Sequence, residues 1–199
     1  MSNNIIKIVL LVVILVLAFL VYESLMKPVR FNNEVTARNK AVIQNLMDIR
    51  MAQITYKTIN GKFTTSFDTL IDFLKKGEIP VVKIIPDPTD TTFTRTIRDT
   101  LGYIPVIDSL FKNRPGYKVN DIQYVPFSSN ESFTMDAGVI DKGGVKVNVF
   151  EASAHYKLFL KGLDNQSVIN LIASKEQIER YPGLKVGSMT EASTDGNWE

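Results

Sequence analysis

Ile5–Tyr22 reads IIKIVLLVVILVLAFLVY, and Val35–Gly61 reads VTARNKAVIQNLMDIRMAQITYKTING. How these two stretches are read decides the fold. In the first, Lys7 is the lone charge and the run from Ile8 to Val21 is unbroken. As a helix it spans roughly 27 Å, close to the ~30 Å hydrocarbon core of a bilayer. Lys7 lies near one end and can snorkel to the headgroups, while Tyr22 can mark the opposite interface. A cleaved leader needs small residues just beyond the apolar run. Here Tyr22-Glu23-Ser24-Leu25-Met26-Lys27 follows, a poor cleavage site. The chain contains no cysteine, so lipid acylation of a cysteine is excluded. The reading is a retained single-span anchor over residues 1–27.

Pro28 removes a backbone donor and predicts a kink or break. Beyond it, Val35, Val42, Leu46, Ile49, Ala52, Tyr56 and Ile59 recur at the helical period, flanked by Ile43, Met47, Met51 and Ile54. Arg38, Lys40, Asp48, Arg50 and Lys57 fall off the main stripe. The stripe is too broad for a coiled-coil seam and lacks its flanking charge pattern, so it predicts a core helix packed on its own domain. Gly61 suits a left-handed cap after Asn60.

Composition narrows the function. Twenty-three Lys and Arg against 21 Asp and Glu leave a formal charge of +2, too little for a dedicated nucleic-acid surface. With no cysteine and a single histidine, His155, disulfide scaffolds, thiol nucleophiles and His or Cys metal clusters are excluded.

The first 75 residues or so resemble type IV pilins and the pseudopilins of type II secretion. The likeness rests on a helix half apolar and half amphipathic that runs into Asp48-Ile49-Arg50-Met51-Ala52-Gln53-Ile54-Thr55-Tyr56, then Asn60-Gly61-Lys62-Phe63 and a short helix. The chain departs from that family at the peptidase site: Asn3-Asn4 precede the run, and no acidic residue occurs before Glu23. Ser66-Phe67-Asp68-Thr69-Leu70-Ile71 and Tyr181-Pro182-Gly183-Leu184-Lys185-Val186-Gly187-Ser188 also resemble a family of single-span proteins of Bacteroidetes-type Gram-negative bacteria, which implies a location but no activity.

Ser66 can cap a helix through Lys76, with Phe67, Leu70, Ile71, Phe73 and Leu74 inward and Gly77 at its end. Ile79–Ile85, a segment near Phe93–Ile97, Asp121–Phe127, Ser132–Asp136 and Val145–Glu151 read as strands. Pro86–Thr92 reads as a linker, and Leu101–Phe111 as a strand-like start with a helical turn. Val145, Val147 and Val149 alternate with Lys146 and Asn148, the half-buried period of two, and Leu46, Ile49 and Tyr56 are expected to be buried against strands that include Val147 and Val149. Lys142-Gly143-Gly144 is a turn signal. Gln166–Ala173 fits strand or helix, and Ser174-Lys175-Glu176-Gln177 reads as a capping box. The expectation is an α+β fold: a long N-terminal helix, part anchor and part amphipathic stalk, packed pilin-like on a mostly antiparallel sheet. Residues 28–187 form the domain and 188–199 a polar tail.

No catalytic constellation stands out. His155 has no nucleophile motif beside it, and Asp68 and Asp72 suit the exposed start of a helix. Phosphate loops and calcium loops are missing from the sequence. No catalytic, cofactor or metal residues are assigned. Trp198, alone in a polar tail, is either docked on its own fold or presented to a partner. Two function classes follow: an anchored structural or interaction protein of the cell envelope, with the bilayer and an envelope protein as partners and no nucleic acid, or an envelope enzyme whose site is invisible in sequence.

Lys27, Arg30, Arg38 and Lys40 follow the apolar run, which taken literally places the domain in the cytoplasm, but long translocated domains override that bias. Asp68-Thr69-Leu70, Asp90-Thr91-Thr92, Asp99-Thr100-Leu101 and Asp108-Ser109-Leu110 fit the periplasmic O-glycosylation pattern that the second resemblance implies, on Thr69, Thr91, Thr100 and Ser109. The plain alternative is that Asp and Ser or Thr cluster at caps and turns. The expected location is the bacterial inner membrane, single-pass, with the domain in the periplasm.

The anchor reading has a direct test. The mature chain should remain in the membrane fraction after carbonate washing, with Met1 or Ser2 as its terminus. A terminus beyond Tyr22, or a soluble bulk, overturns it.

Overall fold

The computed structural model describes residues 3–86, 96–114 and 116–199. Its spine is α1 (Asn3–Asn60), 58 residues in one helix, about 87 Å long. The helix runs through Pro28 without interruption, so the break expected there does not occur. A proline inside a helix costs about 3 kcal/mol through the lost hydrogen bond and the ring's clash; the long helical stretches on both sides hold the axis together.

The two halves of α1 meet different surroundings. Its apolar window has a mean hydropathy of 3.2 and none of it is buried. It is long and apolar enough to cross a membrane. Further along, Val42, Leu46, Ile49 and Ala52 are completely buried, while Val35 and Tyr56 pack at the margin and Ile59 stays exposed. The stripe therefore faces a core over its middle turns and frays from it at its C-terminal end.

Two small antiparallel sheets and four short helices complete the fold, which is α+β as expected. Ser66 caps α2 (Phe67–Lys76) by accepting from the Thr69 amide, and the Gly77 amide closes it on the Phe73 carbonyl. Leu70, Ile71 and Leu74 turn inward. β1 (Glu78–Pro86) and β2 (Thr96–Pro105) form a hairpin of their own, followed by α3 (Val106–Phe111). The linker residues 87–92 and the start of the 93–97 segment lie outside the described residues.

Asp121–Phe127, expected as a strand, instead begins with a 3-10 turn over Val119–Gln123, where Ile122 plugs the core. A single bridge, Tyr124 to Ser132, is all the sheet pairing there. The second sheet has the order β3 (Thr134–Lys142), β4 (Val145–His155), β5 (Gly183–Gly187). Gly143 and Gly144 join β3 to β4 with φ of 65° and 85°. Two successive positive φ values make the primed turn that matches strand twist, and the Asp141 carboxylate braces it by accepting from the Gly144 amide at 2.7 Å.

The strand parity differs from the expected one. Phe150, Ala152 and Ala154 face the core, together with their cross-strand neighbours Met135, Leu184 and Val186. Val147 is only partly covered, and Val149 is buried outside that cluster, its cross-strand partner Gly138 lying against the Met189 methyl. Period two fixes two faces but not which one is inside. Here the Phe63 ring, 4.7 Å from Phe150, selects the even face.

After β4 come α4 (Tyr156–Phe159) and α5 (Asn165–Glu176). The cap of α5 is Asp164, whose carboxylate accepts from the Ser167 amide and hydroxyl. Ser174–Gln177 closes this helix rather than opening another, because Ser174 bonds back to the Leu171 carbonyl.

Two buried polar groups on α1 fasten later segments to it. The Gln53 amide is fully buried and pairs with both backbone groups of Thr64, at 2.6 and 3.1 Å. Asp48, expected off the stripe, is 1% exposed and takes both arms of the Arg114 guanidinium, at 2.6 and 2.8 Å. Phe111 and Tyr117 stack beneath that guanidinium.

Removing one partner of a buried pair typically costs about 3–5 kcal/mol, whereas an apolar replacement of both is often neutral. Arg114→Met should therefore destabilise the detergent-solubilised chain by about 3 kcal/mol in urea unfolding, and adding Asp48→Leu should recover most of the loss. An unchanged midpoint for Arg114→Met would show that the fork is not a structural tie.

Candidate functional site

The chain after β5 folds back on it. Ser188 turns the backbone by accepting from the Thr190 and Glu191 amides. Gly187 then donates to the Asp195 carbonyl, Val186 bridges Gly196, and Asn197 exchanges hydrogen bonds with Lys185. The Asn197 side-chain amide also reaches the Gly183 carbonyl at 3.0 Å. Arg50 on α1 holds the last turn through the Glu199 carboxylate at 2.8 Å and the Thr194 carbonyl. Residues 195–197 thus run along the outer edge of β5, and Arg50 pins the end of the tail to the stalk.

This arrangement docks the Trp198 ring. It packs against the core cluster while remaining partly exposed. The ring lies over Gly196 so closely that a Cβ there would come within 2.4 Å of it. Any side chain at that position would displace the tryptophan.

Trp198 forms one wall of a groove of about 590 Å³. Asn39 and Ile43 of α1 line it as well, with Lys175, Glu179, Arg180 and Tyr181. The Asn39 side-chain oxygen is buried without a hydrogen-bond partner among the described residues. Of the nearby charges, Lys185 is taken by Glu151 at 3.0 Å and Glu199 by Arg50. Burial raises the Tyr156 phenol, which keeps its proton at neutral pH. The groove therefore offers aromatic rings, amide groups, the cations of Lys175 and Arg180 and the carboxylate of Glu179.

His155 stands beside this groove, with its ring edge-on to Tyr181. Its Nδ1 accepts from the Lys157 amide at 3.0 Å and caps α4. Burial, with Lys157 adding to it and Glu176 opposing, lowers its pKa below the usual histidine value. The imidazole is thus spent on a helix cap. Among the described residues no group of three or more His, Asp and Glu side chains is placed to hold a metal ion.

The four hydroxyls read from sequence lie elsewhere. Thr69 is exposed on α2, Thr100 on β2 and Ser109 on α3, all on elements other than those that hold Trp198; Thr91 falls outside the described residues. Asp68 and Asp72 are exposed, and Asp72 pairs with Lys76. Sequence reading missed Asn39, Lys175, Arg180 and Tyr181 as neighbours of Trp198. Only the fold-back of the tail brings these separated positions together, and no spacing encodes it.

The lowered His155 pKa sets a pH dependence. Its neutral form is favoured in the folded state, so its contribution is present above about pH 6.5, the unfolded value. The contribution is lost as pH falls through the lower folded value. Thermal unfolding at pH 7.5 and pH 5 should show this loss in the native chain, and a smaller one in His155→Asn, which keeps a capping acceptor. Equal losses in both would remove His155 as the cause. Comparison of the chain with known protein families, with curated proteins and with solved structures finds no match to any of them.

Proposed function

We propose that the protein is a single-pass, membrane-anchored structural or interaction component of a bacterial cell envelope, its pilin-like domain held in the periplasm and available to a protein partner. One observation carries this reading. An unburied apolar helix of mean hydropathy 3.2 continues, with no intervening loop, into the buried centre of an α+β domain. A helix so built holds a folded domain at a fixed distance from an apolar phase. The pilin resemblance supports the reading through the same plan: a helix half apolar, half packed on an antiparallel sheet.

The groove beside Trp198 supplies a binding surface for that role. It offers the Trp198 and Tyr181 rings and the side chains of Lys175, Glu179 and Arg180. The exposed hydroxyls of Thr69, Thr100 and Ser109 are accessible to periplasmic glycosylation on this reading.

Reporters fused after Glu199 test the topology. Alkaline phosphatase should be active there and green fluorescent protein dark. In the same cells, a photo-reactive residue replacing Arg180 should cross-link the full chain to an envelope protein. A bright fluorescent fusion overturns the periplasmic reading, and a chain that cross-links to nothing overturns the groove as a partner site.

A further inference from the structure

A second groove, of about 440 Å³, opens between α1 and the turn that joins α4 to α5. Lys27, Arg30, Phe31 and Glu34 line it from α1, and Leu163 and Asp164 from the turn. Steps of three and four residues put the α1 positions on one helix face. The same face carries Val13, Val16 and Leu20 of the apolar run, all exposed. The groove begins at Lys27, the last residue of the anchor read from sequence, and Glu34 lies about 10 Å further along the axis. A bilayer headgroup layer is about 5–8 Å deep on each side of the hydrocarbon. On the anchor reading of α1, the near end of this groove therefore stands in the headgroup layer, with the apolar face below it in the hydrocarbon.

The polar groups are turned to suit that place. The Arg30 guanidinium lies beside the Glu23 carboxylate at 3.2 Å, two turns back toward the apolar run. Nη1 makes that contact, and a guanidinium has donors on two further nitrogens for a second anion. The bonds from Ser167 hold the Asp164 carboxyl below its usual value, and the nearby Lys27 charge adds to them. Both Ser167 bonds end on Oδ2, which leaves Oδ1 to another donor.

Charge decides the occupant. Two cations, Lys27 and Arg30, and two carboxylates, Glu34 and Asp164, line the groove. Beside it, Glu23 and the exposed Lys161 add one charge of each sign. The signs balance, so a purely anionic headgroup meets as much repulsion as attraction. A headgroup with one phosphate and one amine matches both pairs. A primary ammonium donates charge-assisted hydrogen bonds to carboxylates, whereas a trimethylated one has no hydrogen to donate.

We propose that this groove seats a bilayer phospholipid with a zwitterionic, primary-amine headgroup of the ethanolamine type. Its phosphate lies between Lys27 and Arg30, its ammonium meets Glu34 and Asp164, and its acyl chains run along the Val13, Val16 and Leu20 face of α1. The lipid fastens this end of the domain to the bilayer surface. The proposal rests on the membrane-anchor reading of α1. It is independent of the side of the membrane on which the domain stands and of the Trp198 groove.

The test uses the full chain in mild detergent and native mass spectrometry, with phosphatidylethanolamine, phosphatidylcholine and phosphatidylglycerol supplied in equal amounts. One ethanolamine lipid should stay with each chain in preference to the other two. Lys27→Gln with Arg30→Gln should weaken its retention by about tenfold or more, the worth of one hydrogen bond to a charged group. Glu34→Gln with Asp164→Asn, which keeps a capping side chain on α5, leaves the cations in excess and should turn the preference to the anionic phosphatidylglycerol. Glycerophosphoethanolamine, the same headgroup without acyl chains, should not displace the lipid; displacement marks a site for a soluble headgroup and overturns the bilayer occupant. Equal retention of the three lipids, or an ethanolamine preference unchanged in both double variants, overturns the proposal while the anchor stands. A chain that carbonate releases from the membrane overturns the anchor reading, and this proposal with it.

Discussion

The constraint on which everything else depends is that α1 is one helix with two kinds of surface. Its N-terminal turns present apolar side chains outward on every side, and its later turns present a single apolar stripe to a core. Apart from the amide hydrogen that Pro28 lacks, backbone hydrogen bonding in both halves is satisfied within the helix, so the chain passes from one kind of surface to the other without a loop. The sheet, α2 and the Val119–Gln123 turn are then organised around the stripe of Val42, Leu46, Ile49 and Ala52. The three-stranded sheet must bury its apolar face against another layer, and the stalk supplies it.

Within that frame, register along the helix is set by polar ties rather than by apolar contact. Apolar burial is non-directional and tolerates sliding. The Gln53 amide tolerates none, because its two bonds to Thr64 fix where the chain turns after Gly61. The Asp48–Arg114 fork fixes where the segment after α3 returns to the stalk. Both groups are buried, so a shifted register leaves an amide or a carboxylate unpaired in the core.

Sequence made the helices more legible than the strands. The Ser66 cap and the apolar stripe were readable because local spacing and a local hydrogen bond decide them. Ser174–Gln177 misled for the same reason: a capping box and the last turn of a helix can share one pattern, and the real cap at Asp164 lay ten residues earlier. In β4 the alternation was visible, but its inward side depended on Phe63, far away in sequence. The burial of Asp48 needed Arg114 from 66 residues downstream. The surroundings of Trp198 needed the whole tail to reverse onto β5. Each miss is a long-range pairing that no local pattern carries.

The continuity of α1 through Pro28 also has a mechanical consequence. No flexible joint separates the apolar half of the helix from the domain, so the two turn as one lever. Helices that cross a bilayer tilt by ~20° on average, and from Tyr22 to Asn60 the arm is about 57 Å, so such a tilt swings the far end sideways by roughly 20 Å. In the membrane-anchored role proposed above, a bilayer that thins or thickens would reposition the domain's distal face without any change inside its fold. The one backbone hydrogen bond missing at Pro28 marks where the lever is softest in bending.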